Sequence, residues 1–389
     1  MPANRNVTAA DVGRARRRPL GALARPADAV AYLGPNWFAS VMGTGIVANA
    51  IMLLPREVPL LQDAALVIWL VAATLLVVLV AATAAHWLRH PGVARGHASD
   101  PAMVPFYGAP PMALMTVGAG ALLVGHRVIG MDAAVVLDSF LWTLGTIGGL
   151  AAAAVTPYLM FTRHPLRLED VLGSWLMPVV PPMVSAATGA ALLSHVPAGQ
   201  ARLTLLLACY AMFGLSLFAA LMTIALLWAR LAFHGPGPAR TVPTLWIVLG
   251  PLGQSITAVN LLGAVAPTVL RAPFGAGLSA FGVVFGLPAL GFALLWMAIA
   301  GAITLQTARR HLPFSLTWWS FTFPVGTMVT GTSALAARTG ADALVWLAVA
   351  LFGLLLVAWA TAFVHTARGA LSGRLLLSPA TPDPRVTMT

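Results

Sequence analysis

The sequence predicts an all-α integral membrane protein of ten transmembrane helices, paired as five helical hairpins around a central pore. Three observations predict it. Hydrophobic residues fill 59% of the 389 positions and charged residues 8%, whereas a soluble chain carries about 25% charged residues. Apolar runs of membrane-crossing length recur along the chain, separated by short gaps that hold most of the charge. Glycine and proline concentrate in alternate runs.

The formal charge of +11 comes from 22 arginines and no lysine. A basic total is also a mark of nucleic-acid binding. Here the arginines sit in gaps between apolar runs, with no basic module behind them, so no nucleic-acid partner is expected; the partners expected are the lipid bilayer and a small anionic substrate. The one cysteine, Cys209, lies inside an apolar run, which excludes an internal disulfide and a thiolate metal cage. Residues 1–30 are polar and arginine-rich, without the apolar core of a signal peptide. They are expected to form a basic cytosolic tail. Residues 31–368 form the transmembrane domain, and 369–389 a polar C-terminal tail.

Spans are expected at 34–54, 64–88, 103–125, 133–161, 170–193, 202–230, 241–266, 275–305, 313–336 and 341–367. Each has the roughly 20 apolar residues a helix needs to cross the hydrocarbon core. Arginine sets their orientation. The N-terminal segment, the even-numbered gaps and the C-terminal segment together hold 17 arginines, and the odd-numbered gaps hold Arg56, Arg127, Arg202, Arg271 and Arg338 alone. The positive side is cytoplasmic, which places both termini in the cytoplasm of a multi-pass plasma-membrane protein.

The odd spans carry the helix breakers. Proline removes a backbone donor and kinks a helix. In lipid such a break is tolerated where it faces protein or water. The broken helices are therefore expected to line the middle, with straighter even spans such as the Ala/Leu/Val run Ala64–Ala85 outside. Odd spans also carry hydroxyls and amides at mid-membrane, but no arginine or acid. Hydroxyls and half-helix amino ends offer partial positive charge only, which suits weak binding and quick release of an anion. The candidate lining residues are Gly43, Thr44 and Gly45 on span one, Thr116 and Gly118 on span three, and Pro182, Thr188 and Gly189 on span five. Span seven adds Pro251, Gly253 and Thr257, and span nine Pro324, Gly326 and Thr327.

Two stretches carry a family resemblance: Gly34-Pro-Asn-Trp-Phe-Ala-Ser-Val-Met-Gly-Thr-Gly-Ile46 and Phe314-Ser-Leu-Thr-Trp-Trp-Ser-Phe-Thr-Phe-Pro-Val-Gly-Thr327, with Trp175-Leu-Met-Pro-Val-Val-Pro-Pro182 as weaker support. Together they resemble the tellurite-resistance/dicarboxylate transporter family, which includes fungal malate permeases, fungal sulfite efflux pumps and plant slow anion channels. The resemblance spans roughly residues 32–367. It implies quasi-fivefold order of the hairpins, a pore in each subunit and a homotrimer. It also implies a phenylalanine gate on span nine, matched here by Phe323. An aromatic ring beside a helix break can block ions by dewetting a constriction. From the residues alone, Phe321, Phe281 and Phe285 are rings of the same kind. The expected substrates are a C4-dicarboxylate such as malate, or oxyanions of the sulfite and tellurite type. The Met-Gly-Thr-Gly stretch and Pro-Val-Gly-Thr lean toward the sulfite and malate branches.

Other chemistry lacks a site. The nine histidines lie at span ends or in gaps, where a membrane haem is not held. His86 and His90 have the spacing of a metal pair, but they close span two beside Trp87 and Arg89 and read as an interface belt. No metal or other cofactor is expected. No HExxH, GxSxG or phosphate loop occurs, and no catalytic residue is expected. Glu169 and Asp170 are the candidates for proton coupling, although acids at a helix start more often cap it; Asp138 lies near the outer end of span four. The alternative from another class is a membrane-anchored haem or quinone redox subunit. A visible absorption spectrum of the purified protein separates the two: the transporter reading expects no Soret band, and a strong one would overturn it.

Overall fold

The computed structural model describes residues 20–23, 25–56 and 59–377; residues 1–19 and 378–389 of the two expected tails lie outside them. Among the described residues the chain is helical throughout, without a strand. The principal helices are α1 (Ala39–Leu53), α2 (Pro59–Arg89), α3 (Ala109–Gly120), α4 (Met131–Arg163) and α5 (Pro181–Leu192). They continue with α6 (Gln200–His234), α7 (Leu249–Val269), α8 (Phe274–Arg310), α9 (Phe323–Thr339) and α10 (Asp342–Leu371). A π turn, Ala121–Gly125, and a last turn, His126–Ile129, extend α3. A short helix, Pro91–Ser99, follows α2.

Eight of these, counted with their leading turns, are long and apolar enough to cross a membrane. The other two, α5 and α9, have 12 and 17 residues. Hydropathy registers apolar length and is blind to helix type. The chain before α5 and α9 is spent in 3-10 turns, Gly173–Leu176 and Leu316–Phe321. Pro178, Pro181, Pro182 and Pro324 lack the N–H groups that would carry α-helical bonding through these stretches.

The same device precedes every odd-numbered helix. A 3-10 turn leads into α1 (Pro35–Phe38), α3 (Val104–Gly108) and α7 (Ala239–Val248) as well. Burial divides the helices into two populations. In the crossing stretches of α1, α3 and α7, 61% to 94% of residues are buried; in α2, α4, α6, α8 and α10 the share is 22% to 33%. Every residue from Ser40 to Ile51, Leu249 to Asn260 and Phe323 to Ser333 is buried. A helix buried on all sides belongs to an interior, and one with an exposed apolar face belongs to the lipid boundary. Val67, Val77, Phe140, Ile147, Phe218 and Val357 are such exposed residues.

Contacts order the helices. Each odd helix packs against the even helix that follows it. The odd helices also form a closed circuit: α1 touches α3, α3 touches α5, α5 touches α7, α7 touches α9, and α9 returns to α1. Their leading turns close a circuit in the same order. Two glycines allow these turns to meet backbone to backbone. A Cβ on Gly108 would collide with the carbonyl of Met177, and one on Gly173 with that of Thr244.

Outer helices bond the interrupted inner ones. Trp69 Nε1 on α2 donates to Val117 O at 3.0 Å, and Trp142 Nε1 on α4 to Ser185 O at 2.9 Å. Ser216 Oγ on α6 donates to Val179 O at 2.7 Å, and Trp296 Nε1 on α8 to Leu245 O at 2.9 Å. On α10, Trp359 Nε1 donates to Thr44 Oγ1 at 3.3 Å. The first and last described segments meet where Leu20 N–H donates to Leu371 O, and His86 Nδ1 lies 2.7 Å from Val30 O.

Trp296 is fully buried and Trp228 beside it is half exposed. Replacing Trp296 by Phe leaves the Leu245 carbonyl without its indole donor and is expected to cost about 1–3 kcal/mol. Thermal unfolding in detergent should show a lowered midpoint for Trp296→Phe and a nearly unchanged one for Trp228→Phe; equal shifts would deny the hydrogen bond its role.

Candidate functional site

Two cavities lie along the inner helices. The first, about 30 Å³, sits among the leading turns and helix starts. Met42, Met112, Val180, Pro251, Phe323 and Pro324 face it, with Trp319 and Ser320 from the turn before α9. The second, about 330 Å³, sits among the opposite halves of the same helices. Its polar lining is Asn49, Thr188, Gln254, Thr257 and Thr330, set among Ile46, Leu53, Leu123 and Leu261. Every residue lining either cavity belongs to an odd-numbered helix, its leading turn, the π turn of α3 or, for Met177 and Val180, the link between the turn and α5, and none carries a formal charge. Met42 and Ile46, one helical turn apart on α1, face different cavities, as do Pro251 and Gln254 on α7. The linings change over within about one turn on α1 and α7 and about two turns on α3, α5 and α9, where Met112, Val180 and Pro324 face the smaller cavity and Ala119, Ala187 and Thr330 the larger; Phe323 lies on the side of the smaller one.

The polar groups of the larger cavity are mostly held by their own helices. Thr188 Oγ1 donates to Val184 O at 2.8 Å. Thr257 donates to Gly253 O at 2.9 Å, and its oxygen lies 2.8 Å from that of Thr330. Asn49 Nδ2 donates to Thr116 O at 3.1 Å, across to α3. Back-bonding of this kind leaves hydroxyl oxygens as weak dipoles toward the cavity. Such a lining can solvate a small ion partially and release it; it cannot fix one as a charged side chain would.

The family model for the voltage-dependent anion channel matches residues 32–367. The chain belongs to that family. It is similar to an uncharacterized transporter of Methanocaldococcus jannaschii, 26% identical over 90% of this chain and 96% of the relative. A sulfite efflux pump of Trichophyton rubrum is 28% identical over 79% of this chain and 82% of its own length. A Schizosaccharomyces pombe protein named for malic acid transport is 22% identical over 79% and 72%. The resemblance carried by the Gly34–Ile46 and Phe314–Thr327 stretches is thus borne out.

In this anion-channel family member the residues expected from sequence divide into two groups. Thr188, Pro251, Thr257, Phe323 and Pro324 line a cavity. The others sit where helices touch. A Cβ on Gly43 would meet Trp319 and Thr322, on Gly45 Thr116, on Gly253 Thr327, and on Gly326 Ile46. Gly118 lies against Asp138 and Leu141 of α4, and Gly189 against Cys209 and Trp142. Asp138 is fully buried, with neither carboxylate oxygen hydrogen-bonded. Thr44 receives the Trp359 indole, Thr116 donates to Met112 O at 2.7 Å, and Thr327 donates to Leu249 O at 3.1 Å, joining α9 to the base of α7. Pro182 is buried at the start of α5.

Glu169 and Asp170 lie in the turn Leu168–Asp170, away from both cavities. Asp170 accepts from the Arg167 backbone N–H at 2.9 Å, and Glu169 pairs with the Arg167 guanidinium at 3.3 Å. Of the other rings, Phe321 is held edge-on by Trp246 at 5.4 Å and Trp318 at 5.8 Å. Phe281 and Phe285 pack with Phe213 on the outer side. Phe323 is the phenylalanine of the four that faces a cavity. His86 stacks on His97 at 5.4 Å and on His90 at 6.3 Å. Burial first, and His86 beside it second, hold His97 below the usual imidazole range against the opposing pull of Asp100.

Asn49, Gln254 and Thr330 belong to the lining and were readable as polar residues in odd spans. The glycine contacts give a paired test. A Cβ on Gly253 would fall 2.5 Å from Thr327, whereas one on Gly250, three residues earlier, meets nothing within 4 Å. Gly253→Ala is expected to cost about 1–3 kcal/mol by overpacking. Gly250→Ala should be neutral or gain up to about 1 kcal/mol of helix propensity. Comparable unfolding midpoints for the two variants would show that α7 and α9 are not packed this closely.

Proposed function

We propose that this protein passes small anions through a pore that joins the two cavities and is closed between them by Phe323. Each inner helix with its outer partner forms one of five hairpins, and the ten helices stand in quasi-fivefold order around the pore. The closed circuits of inner helices and leading turns support this reading, as does the two-population burial. One observation carries it: both cavities are lined by the inner helices and the segments that lead into them, without a charged side chain, and Phe323 faces the narrower cavity. A phenyl ring over a pocket of about 30 Å³ leaves no room for a hydrated ion, and an apolar constriction of that size excludes ions by dewetting.

The substrate class is a small oxyanion or C4-dicarboxylate, in keeping with relatives named for sulfite efflux and malic acid transport. Both termini lie in the cytoplasm of a plasma-membrane protein, supported by the 17 to 5 arginine split. The small cavity then opens toward the cytoplasm. Exit of a monovalent anion from a negative interior is downhill by about 2.3 kcal/mol per 100 mV, so passive flux runs outward. A homotrimer is the assembly proposed, with a complete pore in each subunit. Glu169 and Asp170 remain the proposed coupling acids only if transport proves proton-linked.

Proteoliposome flux of sulfite, malate, chloride and nitrate tests the reading. Phe323→Ala is expected to raise basal anion flux several-fold in protein that folds like the wild type. Flux at or below the wild-type level, with an unchanged unfolding midpoint, would remove Phe323 as the gate.

A further inference from the structure

The second charge feature of this molecule lies outside both cavities. Arg230 sits one turn before the end of α6 and is 3% exposed. Its Nε is buried without an acceptor, and among the described residues its guanidinium makes no hydrogen bond or ion pair. A guanidinium presents five donors and stays charged in proteins. Buried and unpaired, it is costly unless something supplies negative charge and acceptors.

The neighbouring acids do not supply them. The turn Leu168–Asp170 packs against α6, but Glu169 is paired to Arg167 and Asp170 caps the Arg167 N–H. What covers the guanidinium instead is the loop Gly235-Pro236-Gly237-Pro238. Gly235 and Gly237 have φ of +73° and +74°, values open to glycine, and a Cβ on Gly237 would collide with Arg230 Nη2. The loop runs into the 3-10 helix Ala239–Val248, whose first N–H groups, Ala239 and Arg240, bond to no protein acceptor. The Arg230 guanidinium, held against the loop at Gly237, the free N–H groups of Ala239 and Arg240 and a second arginine thus lie on one short stretch of chain, and none of them is bonded to a protein acceptor. Helix amino ends and arginine forks are the recurring partners of phosphate-like groups.

We propose that Arg230, with the loop through Arg240, binds a tetrahedral oxyanion. The ligand is a free phosphate-like anion or the phosphate of an anionic lipid headgroup. The exposed Trp228 and Phe233 on the same turns of α6 place the site at the height of the bilayer surface. The site is separate from the pore, and its test needs no transport.

Full-length protein, stripped of lipid in detergent, is titrated with inorganic phosphate at constant ionic strength against chloride, and its unfolding midpoint is followed. In parallel it is placed in nanodiscs of phosphatidylcholine with and without phosphatidylglycerol. Wild type should be stabilised saturably in one arm: by phosphate if the ligand is free, by phosphatidylglycerol alone if it is the headgroup. Arg230→Gln should weaken that response at least tenfold. Arg230→Lys, which keeps the charge and loses the fork, should fall between and serves if the glutamine variant does not fold. No stabilisation of wild type in either arm, or an undiminished response in a folded Arg230 variant, would overturn the proposal.

Discussion

Everything in this structure answers to one constraint. A backbone carbonyl in hydrocarbon must have a donor, or it costs several kcal/mol. The chain interrupts its inner helices at prolines and 3-10 turns, and carbonyls of these helices lie in the middle of the protein. Water is not there to bond them, so protein must be. The outer helices supply the donors: the indoles of Trp69, Trp142 and Trp296 and the hydroxyl of Ser216 each end on an inner carbonyl. Tryptophan suits the task because its apolar body is at home between helices and its single donor sits at the far edge. The outer layer is therefore part of the inner architecture, and the lipid-facing helices are not a passive coat.

Satisfying the carbonyls fixes the shape of what lies inside. The 3-10 turns come together at one end, where Gly108 and Gly173 let backbone meet backbone. That end closes down to about 30 Å³. At the other end the inner helices run on without 3-10 turns, α3 through its π turn, small residues such as Ala119, Ala187 and Ala264 face inward, and the space opens to about 330 Å³. The asymmetry of the two cavities thus follows from the placing of helix breakers at helix starts. Phe323 is the first residue of α9, directly before Pro324, so its backbone belongs to the interrupted end, and it lines the smaller cavity.

The interrupted odd helices were legible in the sequence from the clustering of proline and glycine in alternate spans, although single prolines such as Pro157 in α4 and Pro288 in α8 are carried inside unbroken helices. The length of α5 and α9 was not, since apolar composition continues through a 3-10 turn unchanged. Which face of an inner helix meets a cavity was also hidden. Amphipathic contrast normally marks the face, but α1, α7 and α9 are buried on every side and show none. Gly253 and Thr257 therefore looked alike as lining candidates, although one abuts α9 and the other faces open space. Arg230 was counted as a gap charge because the apolar run ends there. The helix continues to His234 and carries the arginine inside.

Separating charge from the inner cavities has an energetic logic. A full positive charge in a low-dielectric cavity attracts an anion strongly, and strong attraction at one site slows departure. In this protein the cavities offer only hydroxyls, amides and apolar groups, so an anion there is bound by partial charges and leaves as readily as it arrives. Among the described residues the arginines stand at or near helix ends or in the gaps between helices, where solvent screening limits their reach to about 8 Å at physiological salt. None of them lines either cavity. Charge and passage are thus assigned to different parts of the chain. The part that must stay neutral is also the part whose backbone the outer tryptophans hold in place. A charge introduced among the inner helices would find no charged partner on either cavity lining, only hydroxyls, amides and backbone groups.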